Sequence, residues 1–303
     1  MSSYRTTLKA DSLLLLTAII WGTAFVAQRA GMQVIGPFAY SATRFAIGAL
    51  SLVPLLLISR RRARASGRPG PDRLPLPVRA AWAALAGVVL CIGANLQQVG
   101  LVYTTAGNAG FITSFYVILV PIIGCFLGHA AGWRIWSGAL AALAGLYILC
   151  VGTGFSMAPG DLLVLAGALF WAGHILLINH LVTRMDALEI ATGQFATCAV
   201  LSGIVALLRE PAAFSGVGAA AGPILYGGLM SIGVAYTLQI VAQKSAHPAH
   251  ASIILSMEAL FASVAGVLLL NEPLTWRLLL GGTLMLAGMV VSQLAPAPRS
   301  QPG

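Results

Sequence analysis

The sequence predicts an all-α polytopic membrane protein, with ten transmembrane helices arranged as two inverted five-helix repeats around a central cavity. Three observations predict it. The 303 residues are 58% hydrophobic and only 8% charged, too little charge to cover a soluble domain of this size. The apolar residues fall in long blocks without period-two alternation. They therefore read as helices, which satisfy their backbone hydrogen bonds within one segment in lipid, and not as barrel strands. Scarce residues of the first half also recur, in order, in the second.

Ten blocks follow one another. The first, 12–30, is too long for a cleaved leader and runs into WGTAFVAQRAG, which is no small-residue cleavage site. The second, 37–58, ends at SRRRARASGRPGPDRLPLP, residues 59–77. This is the longest break, and its arginines and prolines read as a solvated loop without a folded domain. Blocks 80–102 and 106–127 nearly abut, and the fourth carries a GxxxG at Gly124 and Gly128. Block 135–152 follows Trp133-Arg134, and 161–182 opens on Asp161. Blocks 188–208, 222–243, 249–270 and 276–294 complete the set. Short breaks make successive helices antiparallel. Gly138/Gly145 and Gly281/Gly288 put small faces on helices five and ten, for close packing within a monomer or, as the alternative, a weak dimer. The four cysteines lie inside apolar blocks without metal-type spacing and read as packing residues, so no cofactor or metal is expected.

Basic residues mark the cytoplasmic side. With the N-terminus inside, the inner segments hold Arg5, Lys9, Arg60, Arg61, Arg62, Arg64, Arg68, Arg73, Arg79, Arg134, Arg184, Lys244 and Arg299. The outer ones hold Arg29, Arg209 and Arg277, and Arg44 lies within a span. Thirteen against three places both termini in the cytoplasm of a cell (inner) membrane. The net charge of +9 is then a topology signal and a contact for anionic lipid. Nucleic acid is a poor partner for this arginine run, which is short and has no aromatic residues beside it.

Asp11, Leu13, Leu15, Ala18 and Trp21 recur 150 residues later as Asp161, Leu163, Leu165, Ala168 and Trp171. Trp133-Arg134, Gly138 and Leu143-Ala144-Gly145 recur 143 residues later as Trp276-Arg277, Gly281 and Leu286-Ala287-Gly288. The repeats are residues 1–152 and 153–303, five spans each. An odd count makes the second copy enter the membrane from the other side. Inverted repeats of this kind mark secondary transporters, with a substrate site near the midplane.

IIWGTAFVAQRAGM, GPFAYSATRFAIGAL, TTAGNAGFITSFYVILVPI and LLLNEPLTWRLLLGGTLMLAG resemble the EamA-type repeats of the drug/metabolite transporter superfamily. That resemblance covers nearly the whole chain. It implies ten helices and transport of small metabolites, with a YddG-like amino-acid exporter as the nearest branch. Two positions depart from the family pattern. Gly128-His129 stands where Gly-Glu is expected, and Glu258 is followed by Ala259 rather than Pro.

Polar and aromatic stripes nominate a cavity lining: Trp21, Phe25 and Gln28 on helix one, Cys91, Asn95 and Gln98 on three, and Tyr236, Gln239 and Gln243 on eight. Phe111 and Phe115 on four, Trp171 and His174 on six, and Ser252 and Ser256 on nine join them. Aromatic faces suit an apolar side chain or ammonium, and amides or hydroxyls suit a carboxylate. The competing reading is plain packing and interhelical hydrogen bonding, worth about 0.6 kcal/mol each. Glu258 stands inside IILSMEALFA, where an ionisable group needs a partner or a function. Arg44 is the partner in reach, so Glu258 is expected in a structural ion pair with Arg44, in proton coupling, or in contact with a substrate ammonium. The expected function is a secondary transporter exporting amino acids, aromatic or otherwise amphipathic. The alternatives are a drug, nucleoside or other metabolite permease and a lipid-linked sugar flippase. A membrane enzyme is disfavoured, since no Ser/His/Asp set, HExxH or Walker loop is present.

Overall fold

The computed structural model describes residues 2–65, 74–104, 106–129, 131–150, 158–270 and 275–294. All secondary structure among them is helical. It groups into α1 (Ser2–Gly31), α2 (Pro37–Ala65), α3 (Leu76–Tyr103), α4 (Ala106–Thr113 and Tyr116–Phe126) and α5 (Trp133–Cys150). Then come α6 (Pro159–Leu181), α7 (Ala187–Arg209), α8 (Ala221–Ala242), α9 (Pro248–Leu255 and Glu258–Leu270) and α10 (Trp276–Gln293). Eight are long and apolar enough to cross a membrane, and α10 adds a shorter apolar helix over Trp276–Ser292. The protein is a polytopic membrane protein of about ten helices.

Helix starts follow local chemistry. Asp186 accepts from Leu188 N at 2.9 Å at the start of α7, and Thr275 Oγ1 from Leu278 N at 3.3 Å at α10. Asp161 accepts from Ala158 N at 2.8 Å and from the Thr104 hydroxyl at 2.5 Å, tying the start of α6 to the end of α3. The first turn of α2 borrows its cap. Phe38 N and Ala39 N donate to the Glu210 carboxylate, just past α7, at 2.8 and 2.9 Å.

The helix ends differ from the apolar blocks. α1 begins ten residues before Ser12, and α2 runs on through Arg60–Arg62 to Ala65, so part of the expected loop 59–77 is helical. Arginine is a good helix former, and its stem covers apolar surface while its head stays wet. Arg68, Arg73, Arg299 and the repeat boundary at 152/153 lie outside the described residues.

The main packed pairs are α5 with α10, α2 with α7, and α3 with α6 and α7; α1 packs on α8 and α9. Between α5 and α10 the backbones touch. A Cβ on Gly138 would sit 2.6 Å from Gly288 O, and one on Gly145 would sit 2.5 Å from Gly281 O. One end of the bundle holds the beginning of α1 and the end of α10. There His250 of α9 reaches Asp11 of α1 (Nε2 to Oδ1, 2.9 Å) and Ser292 of α10 (Nδ1 to Oγ, 2.7 Å). The Thr104–Asp161 and Glu210–α2 contacts close loops at the opposite end.

Three spans are irregular. α4 breaks at Ser114-Phe115 and α9 at Ser256-Met257, and the breaks share one backbone pattern. In α4, Ser114 N, Phe115 N, Val117 N and Leu119 N donate to Gly110 O, Ile112 O, Ser114 O and Phe115 O. In α9, Ser256 N, Met257 N, Ala259 N and Phe261 N donate to Ser252 O, Ile254 O, Ser256 O and Met257 O, every position 142 further on. α8 widens into a π-helix over Tyr226–Tyr236. Carbonyls of that wide stretch receive side chains of α1: Thr17 Oγ1 donates to Ala235 O at 3.1 Å and Trp21 Nε1 to Ser231 O at 3.1 Å.

Candidate functional site

A cavity opens where the broken helices meet α1, α2, α3, α6 and α8. It encloses about 530 Å³ of open space, its mouth included. The breaks set its floor. Glu258 opens the second half of α9, and Tyr116, 142 positions earlier, opens the second half of α4. The Tyr116 hydroxyl donates to Glu258 Oε1 at 3.0 Å. An acidic residue in the first turn of a helix also faces the positive end of its dipole.

Aromatic rings form one wall. Tyr236 lies 4.5 Å from Trp21 and 6.2 Å from Trp171 between ring centroids, stacked on the latter, with His174 at 6.2 Å. Each indole is fixed by its N–H. Trp21 donates to α8, and Trp171 donates to Gln97 Oε1 on α3 at 2.9 Å. His174 Nε2 meets Gln194 Oε1 at 2.9 Å. Gln239 Nε2 donates to Gln243 Oε1 at 3.1 Å, and Gln243 passes the chain on to Ile175 O at 2.9 Å. Phe25, Gln28, Thr113, Ser231 and Ile175 complete the lining.

Arg44 occupies the opposite electrostatic pole. It lines the cavity and is only 5% exposed. Its guanidinium carbon lies 5.1 Å from the Phe45 ring centroid and 5.5 Å from that of Tyr40. Among the described residues it makes no hydrogen bond and no ion pair, and its Nε is buried without a partner. The Arg44–Glu258 pair that the sequence suggested is therefore not formed, with no nitrogen–oxygen contact within 4.0 Å. Glu258 is turned to Tyr116 by the break in α9, while the rings of its own helix hold Arg44.

Trp21, Phe25, Gln28, Trp171, His174, Tyr236 and Gln239 thus come together with Arg44 and Glu258 around one space. The other nominated side chains are engaged elsewhere. Asn95 Nδ2 donates to Cys91 O and to Ser202 Oγ of α7, both at 2.8 Å. Gln98 Nε2 reaches Met32 Sδ at 2.8 Å. Phe111 packs edge-on against Phe115 at 5.1 Å and against Tyr147 of α5 at 6.4 Å. Ser252 and Ser256 donate to their own helix, at Ala249 O and Ile253 O, both at 2.8 Å. Sequence reasoning missed Gln97, Thr113, Tyr116 and Ser231. For Tyr116 a signal existed, since it is the counterpart of Glu258 in the repeat. Among the described residues no group of three or more His, Cys, Asp or Glu could hold a metal ion.

Comparison with known proteins supplies the family. The model of the EamA-like transporter family matches residues 8–151 and again 158–293. An uncharacterized transporter of Archaeoglobus fulgidus is 32% identical over 288 residues, covering 95% of this chain and 86% of that protein. A probable terminal-alkyne amino-acid exporter of Streptantibioticus cattleyicolor is 28% identical, with 93% of each chain covered. A solved crystal structure shares the fold, with a TM-score of 0.75 at 20% identity over 93% of this chain and 96% of its own. Two family matches that together span nearly all of a ten-helix membrane chain leave one assignment: this chain belongs to the EamA-like transporter family.

Proposed function

We propose that this protein is a secondary transporter that exports small amphipathic metabolites, amino acids foremost, by alternating access between two inverted five-helix repeats. One observation carries the reading: the two helices broken at positions 142 residues apart converge on a single cavity, through Tyr116 and Glu258. Broken helices meeting at mid-membrane are where transporters of repeated architecture place their sites, because interrupted backbone is tolerated only where it lines a cavity. The packed pairs support the same symmetry. α3 on α6 corresponds to α8 on α1, and α9 on α1 corresponds to α4 on α6.

The cavity lining reaches toward the face opposite the termini. Gln28 lies three residues from the end of α1, and Arg44 lies seven residues into α2, roughly 10 Å down by helical rise. At the other face the Asp11–His250–Ser292 contacts and the Gln243–Ile175 bond hold the helices shut. With the arginine-rich segments in the cytoplasm, the contacts at that face support reading this as the state in which an exporter releases its solute to the outside. The amino-acid assignment draws on the name of the Streptantibioticus relative and on the aromatic and charged lining.

Proteoliposomes loaded with labelled amino acids, nucleosides and organic cations test the reading. Efflux of amino acids above that of empty vesicles is the expected result. Efflux of only nucleosides or cations would move the protein to the drug or nucleoside permeases, and hydrolysis of a lipid or peptide by purified protein would overturn the transporter function. Coupling is tested with Glu258→Gln. Efflux by this variant that keeps its full dependence on a pH gradient would remove Glu258 as a proton-coupling residue.

A further inference from the structure

We infer that Arg44 and Glu258 are the two poles of a single binding site that takes its solute as a zwitterion. The solute's carboxylate sits on Arg44, its ammonium on Glu258, and its apolar side chain against Trp21, Trp171 and Tyr236. The inference rests on the transport reading above and adds to it which end of the solute goes where.

The protein gives its other inward-facing charges partners. Glu189 is held by Arg60 at 2.9 Å and Arg79 at 2.7 Å. Asp11 is bound by His250, Asp161 by Thr104 and Ala158 N, and Glu210 by two backbone N–H groups. Arg44 alone among these is as deeply buried while having no hydrogen-bond acceptor among the described residues. A guanidinium cannot shed its proton, and leaving one unpaired within a membrane protein is costly. Phe45 and Tyr40 supply only aromatic surface. The in-plane N–H donors stay open, in the fork geometry that fits a carboxylate.

Glu258 complements this pole. Tyr116 occupies Oε1, leaving Oε2 for a second donor, such as an ammonium. The aromatic rings add cation–π and apolar contact beside it. Because Arg44 and Glu258 lie more than 4.0 Å apart and do not neutralise each other, a solute carrying one charge of each sign satisfies both at once. A solute carrying one charge leaves the other pole buried and bare. Sites built around a polar group reject analogues that lack it far more strongly than they reject a change of apolar size.

The test uses the full chain in nanodiscs, with binding read as the ligand-dependent change in tryptophan fluorescence, to which the two cavity indoles among the six tryptophans respond. The probes are L-phenylalanine, phenethylamine (no carboxylate) and N-acetyl-L-phenylalanine (no ammonium). For the wild type, phenylalanine should bind at least tenfold more tightly than either analogue. In Arg44→Gln, phenylalanine affinity should fall at least tenfold while phenethylamine affinity holds, so the discrimination collapses. Arg44→Lys, which keeps the charge without the fork, should lie between. Equal weakening of phenylalanine and phenethylamine in Arg44→Gln would make Arg44 a structural residue and overturn the inference. Should neither variant fold, the wild-type series still decides, because equal binding of phenylalanine and phenethylamine overturns it. A wild type that exports phenylalanine but fails these comparisons loses the two-pole site and keeps the transport reading. A wild type that exports no amino acid loses both.

Discussion

Gly22→Ala is a one-methyl test of how the site is assembled. Gly22 follows the cavity tryptophan of α1 and lies against the break in α9. A Cβ placed there would meet Glu258 O at 2.6 Å, Ala262 N at 2.7 Å and Phe261 Cβ at 2.9 Å. Two of the three are backbone atoms and cannot swing aside. Restoring an ordinary contact of 3.4 Å from 2.6 Å requires α1 to back away from α9 by about 0.8 Å. Overpacking of this kind costs about 1–3 kcal/mol. At roughly 2–4 °C per kcal/mol, the thermal midpoint in detergent should drop by several degrees. The displacement also separates Trp21 from the Glu258 wall, so transport should weaken several-fold. Gly173→Ala on α6 is the matched control. Nothing lies within 4 Å of its added methyl, and removing a mid-helix glycine should stabilise by about 0.5–1 kcal/mol. Thermal melts of the purified variants and efflux from proteoliposomes provide the readout. If Gly22→Ala melts at or above the wild type and transports normally, the close approach of α1 to α9 is refuted.

Three further outcomes follow from contacts outside the cavity. Glu189→Gln should cost about 1 kcal/mol, because both Arg79 and the more exposed Arg60 lose their carboxylate; the wild type's advantage in melting should shrink in roughly 1 M salt. Asp11→Asn should weaken the tie of α1 to α9 and α10, so a single reporter cysteine at Ile175, in a background without the native cysteines, should react several-fold faster from the face of the termini. His247, just before α9, has its pKa pushed down to about 4 by burial first and then by His129 and His250. Its neutral Nδ1 accepts from Ala249 N at 3.3 Å. The unfolded chain therefore binds more protons between about pH 6.5 and 4, and stability should be full above that window and fall as pH drops through it. His247→Asn, which can still cap the helix, should flatten that slope in melts run from pH 7 to 4.

Hydropathy makes the ten spans legible because a membrane helix must be apolar along its length, whatever it packs against. It averages over a turn, so it could not show the breaks at Ser114-Phe115 and Ser256-Met257 or the wide stretch of α8. Those irregularities decide which side chains face the cavity. On α9 Ser252 belongs to the half before the break and Ser256 to the break itself, which brings Glu258 round to the cavity instead. On α3 the stripe of Cys91 and Asn95 is a real polar face, but it bonds to Ser202 of α7. Gln97, one position from the nominated Gln98, turns to Trp171 and the cavity. A polar face on a membrane helix has two uses, gluing helices and meeting solute, and periodicity alone does not separate them. The tryptophans were legible for a different reason. Trp21 and Trp171 are too scarce to recur at one offset without a shared role in the two halves.

The glycine seam between α5 and α10 constrains what the sequence can carry there. Gly138 faces Gly288 O, Gly288 faces Gly138 O, and Gly145 faces Gly281 O, so the two backbones lie in direct contact with no room for a side chain between them. Only the missing side chains let each backbone lie against the carbonyls of the other. The seam thus sets a ceiling on residue size: a methyl at Gly138, Gly145 or Gly288 would have to wedge the two helices apart.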